Sequence, residues 1–259
     1  MLKALRGTKD ILPADINAWQ YIEQSAREIF DIYGYKEIRT PIIEEAFLFI
    51  RSIGDSTDIV QKEMYVFSDR GGRSIALRPE ATASVVRAYL ENSLGHKESL
   101  SKLFYIGPMF RSERPQKGRQ RQFHQLGIEA IGSDNPFLDA EVILLAVKFL
   151  QKLGIDNFSL KINSLGCKND KIEIIKKYRL AIKPCLKSLC DECNARYDKN
   201  VLRVLDCKNV KCKEIVRNID FDDSLCGGCA KHFEDVKKAL DDLGVIYSVD
   251  PKGSLFRLY

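Results

Sequence analysis

KLFYIGPMFRSERPQKGRQRQFHQLGIEAI, residues 102–131, decides how this chain folds. Two apolar-rich runs, 102–111 and 121–131, flank a polar stretch that holds one proline and one glycine. Such punctuation between extended runs predicts a long hairpin with a basic loop. Alternate side chains of a strand point to one face. Phe123, Gln125 and Glu129 lie at even spacings, so they share a face, and Arg111 on the other strand lines the same surface. The loop and its roots carry Arg111, Arg114, Lys117, Arg119 and Arg121, opposed by Glu113 alone. An aromatic ring, an amide and a carboxylate beside guanidinium groups suit a nucleotide set next to a small cation. Arginine forks match phosphate oxygens, and Phe123 offers a face for a base. The other reading of the same charges is a solvated hairpin tip.

Outward from the hairpin, hydrophobic spacing predicts helices. Ile16, Trp19, Ile22, Ala26, Ile29 and Phe30 recur at three- and four-residue steps, so 15–33 is expected to be helical, stopped by Gly34. Residues 36–40 are expected extended, because Pro41 disfavours helix at the residue before it. Segments 64–68 and 74–78 read as a strand pair around Asp69-Arg70-Gly71-Gly72. Helices are expected at 80–94 and 138–153, and Phe158, Leu160 and Ile162 alternate as a half-buried strand does. Strands joined by hairpins and mixed with helices, rather than alternating βαβ units, predict an α+β fold: an antiparallel sheet flanked by helices. No internal repeat marks a solenoid.

Composition sets the outer limits. The chain has 259 residues, 45% hydrophobic and 30% charged, with 41 Lys+Arg against 36 Asp+Glu and a formal charge of +5. That is enough apolar surface for a real core, and a mild basic excess that permits a polyanionic partner without requiring one. The start, MLKALRGTKDILP, lacks the apolar run of a signal peptide, and no stretch is apolar enough to span a membrane. A cytoplasmic protein without membrane partners is expected.

All eight cysteines lie between Cys167 and Cys229, where lysine density also rises. The texture changes near Gly166, so a boundary is expected at about residue 165, with a smaller, helical or mixed Cys-rich domain at 166–248. Cys190 and Cys193, Cys207 and Cys212, and Cys226 and Cys229 form three pairs. A four-cysteine zinc site needs two pairs on turns that converge. The expected zinc set is Cys190, Cys193, Cys226 and Cys229. Three pairs are one more than a single site uses, which leaves open one site with spare thiols or reduced thiols throughout.

Several segments together resemble one family. Residues 104–125, FYIGPMFRSERPQKGRQRQFHQ, are similar to the second signature motif of the histidyl-tRNA synthetases, which are class II aminoacyl-tRNA synthetases. Arg6-Gly7-Thr8-Lys9-Asp10 resembles the family's N-terminal start. Arg39-Thr40-Pro41 followed by Glu44 resembles its first motif, the dimer strand. Leu77-Arg78-Pro79-Glu80-Ala81-Thr82 resembles its amino-acid-binding stretch. Ala81 departs from a common Gly, and Gln120 from a common Tyr; neither is one of the expected ligands.

The resemblance implies a residue-by-residue site for a histidine–tRNA ligase. Arg111 would act in catalysis by holding the α-phosphate of ATP. Arg119 would reach the γ-phosphate, and Phe123 would stack on adenine. Glu80, Thr82, Arg111, Gln125 and Glu129 would bind histidine, with Glu129 on the imidazole. Gln116 would approach tRNA(His). ATP with magnesium is the implied cofactor set, a homodimer the implied assembly of the full-length protein, and residues 1–165 the implied catalytic core. The Cys-rich segment falls where the family carries an insertion domain, and the resemblance does not call for zinc there.

Plainer roles stand beside these. Thr82 can be an intrahelical hydroxyl, Glu80 a helix-start carboxylate, and His124, facing away from Phe123 and Gln125, a structural ring. Trp19 reads as packing. After Lys252 the resemblance ends: the family continues into Arg-Gly-Leu-Asp-Tyr-Tyr, whereas residues 253–259 read GSLFRLY. Residues 249–259 are therefore expected to be a truncated or frameshifted tail, and the chain an incomplete, inactive fragment. Two other functions fit parts of the sequence: a histidine-sensing regulatory paralogue of ATP phosphoribosyltransferase, and a zinc-dependent nucleic-acid-binding module in the C-terminal third. The intact loop Gln116-Lys117-Gly118-Arg119 favours the synthetase over the first of these.

Overall fold

The computed structural model describes residues 2–54, 57–116, 118–205, 207–219 and 225–250, and the backbone of 257–258. Two compact units emerge: Met1–Asp134 with Lys148–Leu153, and Asn135–Val147 with Gly154–Tyr259. The change of composition near Gly166 lies inside the second unit.

The first unit opens with α1 (Pro13–Ile32), which starts on a proline whose fixed φ suits the first helical turn. Its inward stripe buries Ser25, Ala26, Ile29 and Phe30. Gly34, at φ 77°, turns the chain out of the helix in a conformation that side chains resist. There follow β1 (Lys36–Glu37), β2 (Ile43–Glu45), α2 (Ala46–Ile53), a π-type turn (Ile59–Glu63), β3 (Tyr65–Ser68) and β4 (Ser74–Leu77). Next come α3 (Thr82–Glu91), the single turn α4 (Leu94–Lys97), and the long strands β5 (Ser101–Phe110) and β6 (Gln122–Ile131).

The hairpin is the spine of this unit. β5 and β6 pair antiparallel over their whole length, from Ser101 opposite Ile131 to Phe110 opposite Gln122. β1 joins the free edge of β5 in parallel, Lys36 beside Leu103. A second sheet, β2-β4-β3, is antiparallel throughout. Arg78 ties the two sheets together. Its carbonyl accepts the Phe110 N–H at 3.0 Å, its Nε donates to the Pro108 carbonyl at 3.0 Å, and its Nη1 donates to the Thr40 carbonyl at 2.8 Å.

One face of the hairpin packs on α1. The Phe30 and Phe104 rings lie 5.0 Å apart, and Trp19 meets His124 edge-on at 4.6 Å. Such aromatic pairs add about 0.5–1.5 kcal/mol each beyond area burial. Because strand side chains alternate, burying Phe104 and His124 against α1 turns Tyr105, Met109, Phe123, Gln125 and Glu129 to the other face.

α5 (Pro136–Lys152) is divided between the units at Val147. The second unit continues with β7 (Leu160–Ile162), α6 (Lys168–Ile182), a 3-10 turn (Lys183–Ser188) and α7 (Asp191–Lys199). A second 3-10 turn (Val201–Val204), α8 (Val210–Arg217), α9 (Gly227–Asp242), β8 (Ser248–Val249) and β9 (Arg257–Leu258) complete it. Its core gathers Ile174, Tyr178, Ile182, Leu189, Val201, Val204 and Val216 around Cys193, Cys207 and Cys212. β8 runs parallel to β7, and β9 antiparallel to it.

The α+β class expected from the sequence is the one found, with small mixed sheets in place of a purely antiparallel one. The parallel additions, β1 and β8, are two residues each, too short for any hydrophobic alternation to signal them. Most of the tail expected at 249–259 lies outside the described residues. Among the described residues, no helix is long and apolar enough to cross a membrane.

Candidate active site

The free face of the hairpin meets the start of α3, and there the first unit concentrates its polar chemistry. Thr82 Oγ1 donates to Glu129 Oε1 at 2.7 Å. Glu80 accepts the N–H groups of Thr82 at 2.7 Å and Ala83 at 3.0 Å, so its carboxylate caps the first turn of α3. This bears out the helix-start role; a carboxylate so fixed by two backbone donors also has a defined orientation. Arg111 continues the strand pairing through its own N–H, 2.8 Å from the Arg121 carbonyl. Its Nε donates to the Pro79 carbonyl at 2.9 Å, and its guanidinium lies 5.2 Å over the Phe123 ring. Pro79, Glu80 and Thr82 thus link Arg111 and Phe123 on one side to Glu129 on the other.

Gln125 sits between them on the strand, opposite Gly107. Its side-chain oxygen is buried and has no hydrogen-bond partner among the described residues. An orphaned buried acceptor costs about 1–3 kcal/mol, so it calls for a donor supplied from elsewhere.

Electrostatics divide this face in two. Burial pushes the Glu129 carboxyl above its ordinary pKa, Thr82's hydrogen bond pulls it back, and the neighbouring Glu80 charge raises it further; the net shift is upward. Tyr105, which shares a hydrogen bond with Thr82, is pushed up to about 12 by burial and by the carboxylates of Glu129 and Glu80. That half is rich in acceptors and negative potential. The other half presents the Arg111 guanidinium, whose Nη1 lies 4.0 Å from Glu113 Oε1, an ion pair beyond hydrogen-bond distance.

The loop above is anchored at both ends. Gln116 and Arg119 exchange backbone hydrogen bonds of 3.1 and 2.9 Å across a tip where Gly118 takes φ 79°. Arg119 reaches back to Glu113 at 3.0 Å. The Gly7 carbonyl accepts the N–H groups of Arg121 at 2.6 Å and Gln122 at 3.2 Å, which fixes the N-terminal segment to the loop's root. A Cβ at Gly7 would sit 2.8 Å from both Arg121 Cγ and Pro115 Cγ. Gln116 and Arg119 therefore stand at the tip, apart from the cluster formed by Glu80, Thr82, Arg111, Phe123, Gln125 and Glu129.

Two residues that shape this face, Tyr105 and Arg78, were given no physical role by the sequence. Tyr105 lies across Gly127, where an added Cβ would come within 2.3 Å of its hydroxyl oxygen. Arg78 lies over Gly107 in the same way, at 2.7 Å, and burial lowers its pKa. The alternation that placed Gln125 and Glu129 on one face also placed Tyr105, Gly107 and Gly127 there, and that signal was available.

The cysteines are grouped differently from the expected zinc set. Cys190 and Cys193 meet Cys207 and Cys212, while Cys226 and Cys229 meet Cys167 and Asp170; in each group the ligand atoms lie within 4.8 Å of one another. Cys190, Cys193, Cys226 and Cys229 thus do not form one set. Equal sequence gaps concealed this, because convergence is set by the short α7 and α8 and the 3-10 turn between them rather than by spacing.

A guanidinium face set beside an acceptor-lined face, on an antiparallel hairpin in an α+β core, has the chemistry to hold an anion joined to an amine. The family described as histidyl-tRNA synthetase matches residues 7–176. The histidine–tRNA ligase of Halothermothrix orenii is 54% identical over 251 residues, which are 96% of this chain and 60% of that protein. Apo S. aureus histidyl-tRNA synthetase superposes with a TM-score of 0.75 at 36% identity, covering 100% of this chain and 61% of that one. A Bacillus halodurans protein described as an ATP phosphoribosyltransferase regulatory subunit/histidyl-tRNA synthetase shares the fold, with a TM-score of 0.70 at 21% identity over 100% of this chain and 72% of its own. The chain belongs to the histidyl-tRNA synthetase family. It spans 60% of the length of the H. orenii relative and 61% of the S. aureus one.

Proposed function

We propose that this chain supplies the ATP- and histidine-binding core of a histidine–tRNA ligase. The reaction has two steps. A histidine carboxylate oxygen attacks the α-phosphorus of ATP, forming histidyl-adenylate and releasing pyrophosphate. The 3′-terminal ribose hydroxyl of tRNA(His) then attacks the acyl carbon and releases AMP. The protein's share is alignment and charge stabilisation rather than covalent chemistry.

The observation that carries this reading is the buried oxygen of Gln125, unpartnered among the described residues, on the same hairpin face as Glu129, whose carboxyl feels the charge of Glu80 at the start of α3. An ammonium donor from histidine would satisfy it. Glu80 and Thr82 would flank that ammonium, Glu129 would accept from the imidazole, and Arg111 would hold the α-phosphate. Phe123 would stack on adenine, Arg119 would swing from Glu113 to the γ-phosphate, and Gln116 would meet the acceptor stem. Magnesium, when bound with ATP, would offset the negative charge of the triphosphate that Arg111 and Arg119 would hold. An imidazole held by a buried acceptor also gives selectivity, because an apolar analogue leaves that acceptor unpaired.

In the same reading, residues 1–165 are catalytic core and 166–248 an insertion domain near the tRNA. The protein is cytoplasmic, and a homodimer at full length. Ile43, Phe47, Val66 and Phe67, large and exposed in the first unit, support a partner surface there.

The test uses histidyl-sulfamoyl-adenosine, a stable mimic of the adenylate, titrated calorimetrically into this chain. Saturable binding is expected, weaker by roughly ten- to a hundredfold in Gln125→Leu, the value of a lost hydrogen bond to a charged group. No binding by the unaltered chain, or equal binding by Gln125→Leu, would sink the assignment.

A further inference from the structure

We propose that Cys190, Cys193, Cys207 and Cys212 hold one structural zinc ion in the second unit. The set is assembled from two cysteine pairs, one at the start of α7 and one leading into α8. Cys190 precedes the first residue of α7, and Cys193 lies in that helix's first turn. Cys207 follows the 3-10 turn Val201–Val204, and Cys212 lies in the first turn of α8. Their sulfurs converge within 4.8 Å of one another.

The separation suits a metal. A tetrahedral zinc–thiolate site with bonds of about 2.3 Å has sulfurs roughly 3.8 Å apart. Cys190 Sγ and Cys207 Sγ lie 3.9 Å apart. That is nearly twice a disulfide length of about 2.05 Å, and all eight cysteines are free. Four thiolate ligands close the coordination sphere, which is the mark of a structural rather than a catalytic zinc.

The surroundings are built for charged sulfur. The Cys190 N–H points at Cys212 Sγ from 3.3 Å, and Asn209 Oδ1 accepts the Cys212 N–H at 3.3 Å, which fixes that ligand at the start of α8. Cys193, Cys207 and Cys212 are almost wholly buried, while Cys190 keeps partial access to solvent. Lys208, Lys211 and Lys213 adjoin Cys207 and Cys212 in sequence and offset the net negative charge of a four-thiolate site.

Such a site has a structural task. α7 has nine residues and α8 eight, with a four-residue 3-10 turn between them. Short elements of this kind make few hydrogen bonds for the residues they fix and gain from a metal crosslink. The neighbouring group differs. Asp170 there accepts the N–H groups of Cys167 at 3.3 Å and Cys226 at 3.2 Å, so its carboxylate already serves the starts of α6 and α9. It serves as the control.

The test is metal content of the full 259-residue chain, loaded with zinc and desalted, in the unaltered protein and in Cys207→Ser, Cys185→Ser and Cys229→Ser. Cys207→Ser is expected to hold one equivalent fewer than the unaltered chain, and Cys185→Ser the same amount. Because Cys207→Ser can also fail by misfolding, cobalt is substituted into the unaltered chain and into Cys229→Ser. Both are expected to show sulfur-to-cobalt charge transfer with intense tetrahedral d–d bands. The proposal is overturned if the unaltered chain binds no zinc or gives no tetrahedral cobalt spectrum. It is equally overturned if Cys207→Ser retains full zinc, if Cys229→Ser abolishes the cobalt bands, or if the ion retained on isolation is iron.

Discussion

Replacing Gly127 by alanine should cost stability only while Tyr105 is present. The added Cβ would lie 2.3 Å from the Tyr105 hydroxyl oxygen and 2.4 Å from Cζ, both more than 1 Å inside ordinary contact. Tyr105 has limited freedom to yield, since it is half-buried beside Thr82 and Glu129. Overpacking of this kind costs about 1–3 kcal/mol. Alanine in a strand regains about 0.5–1 kcal/mol over glycine. The net for Gly127→Ala is a loss of about 1 kcal/mol and at most about 2.5, or roughly 2–10 °C in Tm. In a Tyr105→Ala background the obstacle is gone, and the same change should be neutral or slightly stabilising. Thermal and urea unfolding of the four proteins in the cycle measure the coupling. An equal cost of Gly127→Ala in both backgrounds would refute the account of Gly127 as the seat of Tyr105.

The raised pKa of Glu129 makes its protonated form the one the fold prefers. Its contribution to stability is therefore fully present below the ordinary value of 4.5 and is lost as pH rises through the higher folded value. Glu129→Gln keeps an acceptor for Thr82 and should gain relative stability across that window. Urea unfolding of both proteins on either side of it checks the sign, and a constant difference would contradict it. Glu80→Ala removes a carboxylate that accepts two N–H groups at the start of α3, and should destabilise the ligand-free chain by about 0.5–2 kcal/mol in chemical denaturation. Arg119→Ala should change stability by less than about 1 kcal/mol, because its bond to Glu113 is half exposed, yet weaken triphosphate binding measured by calorimetry.

The hairpin was legible because it is long: two apolar-rich strands of ten residues each, bounded by a polar loop with Pro115 and Gly118, leave little ambiguity. Alternation also sorted Phe123, Gln125 and Glu129 from His124, and the structure keeps that division. β2 and α2 were not legible. AFLFIRSI is a nearly continuous apolar run, and periodicity cannot separate a strand from a helix in so short a stretch. Arg78 was read as part of a family motif, and its physical task, joining two sheets across Gly107, depends on contacts to Thr40 and Pro108 that no local pattern encodes. The cysteine grouping failed for the same reason: sequence gives the spacing of thiols, and the path of α7 and α8 decides which of them meet.

The grip of the Gly7 carbonyl on Arg121 and Gln122 couples the chain's beginning to its arginine-bearing loop. During synthesis, Gly7 emerges from the ribosome long before its partners do, so this part of the fold cannot close until the hairpin's return strand has been made. In the finished molecule, a cut that removed Gly7 would return two backbone donors at the loop's root to solvent. Damage at the extreme N-terminus would then be felt where a triphosphate is to be held, without any loop residue being cut.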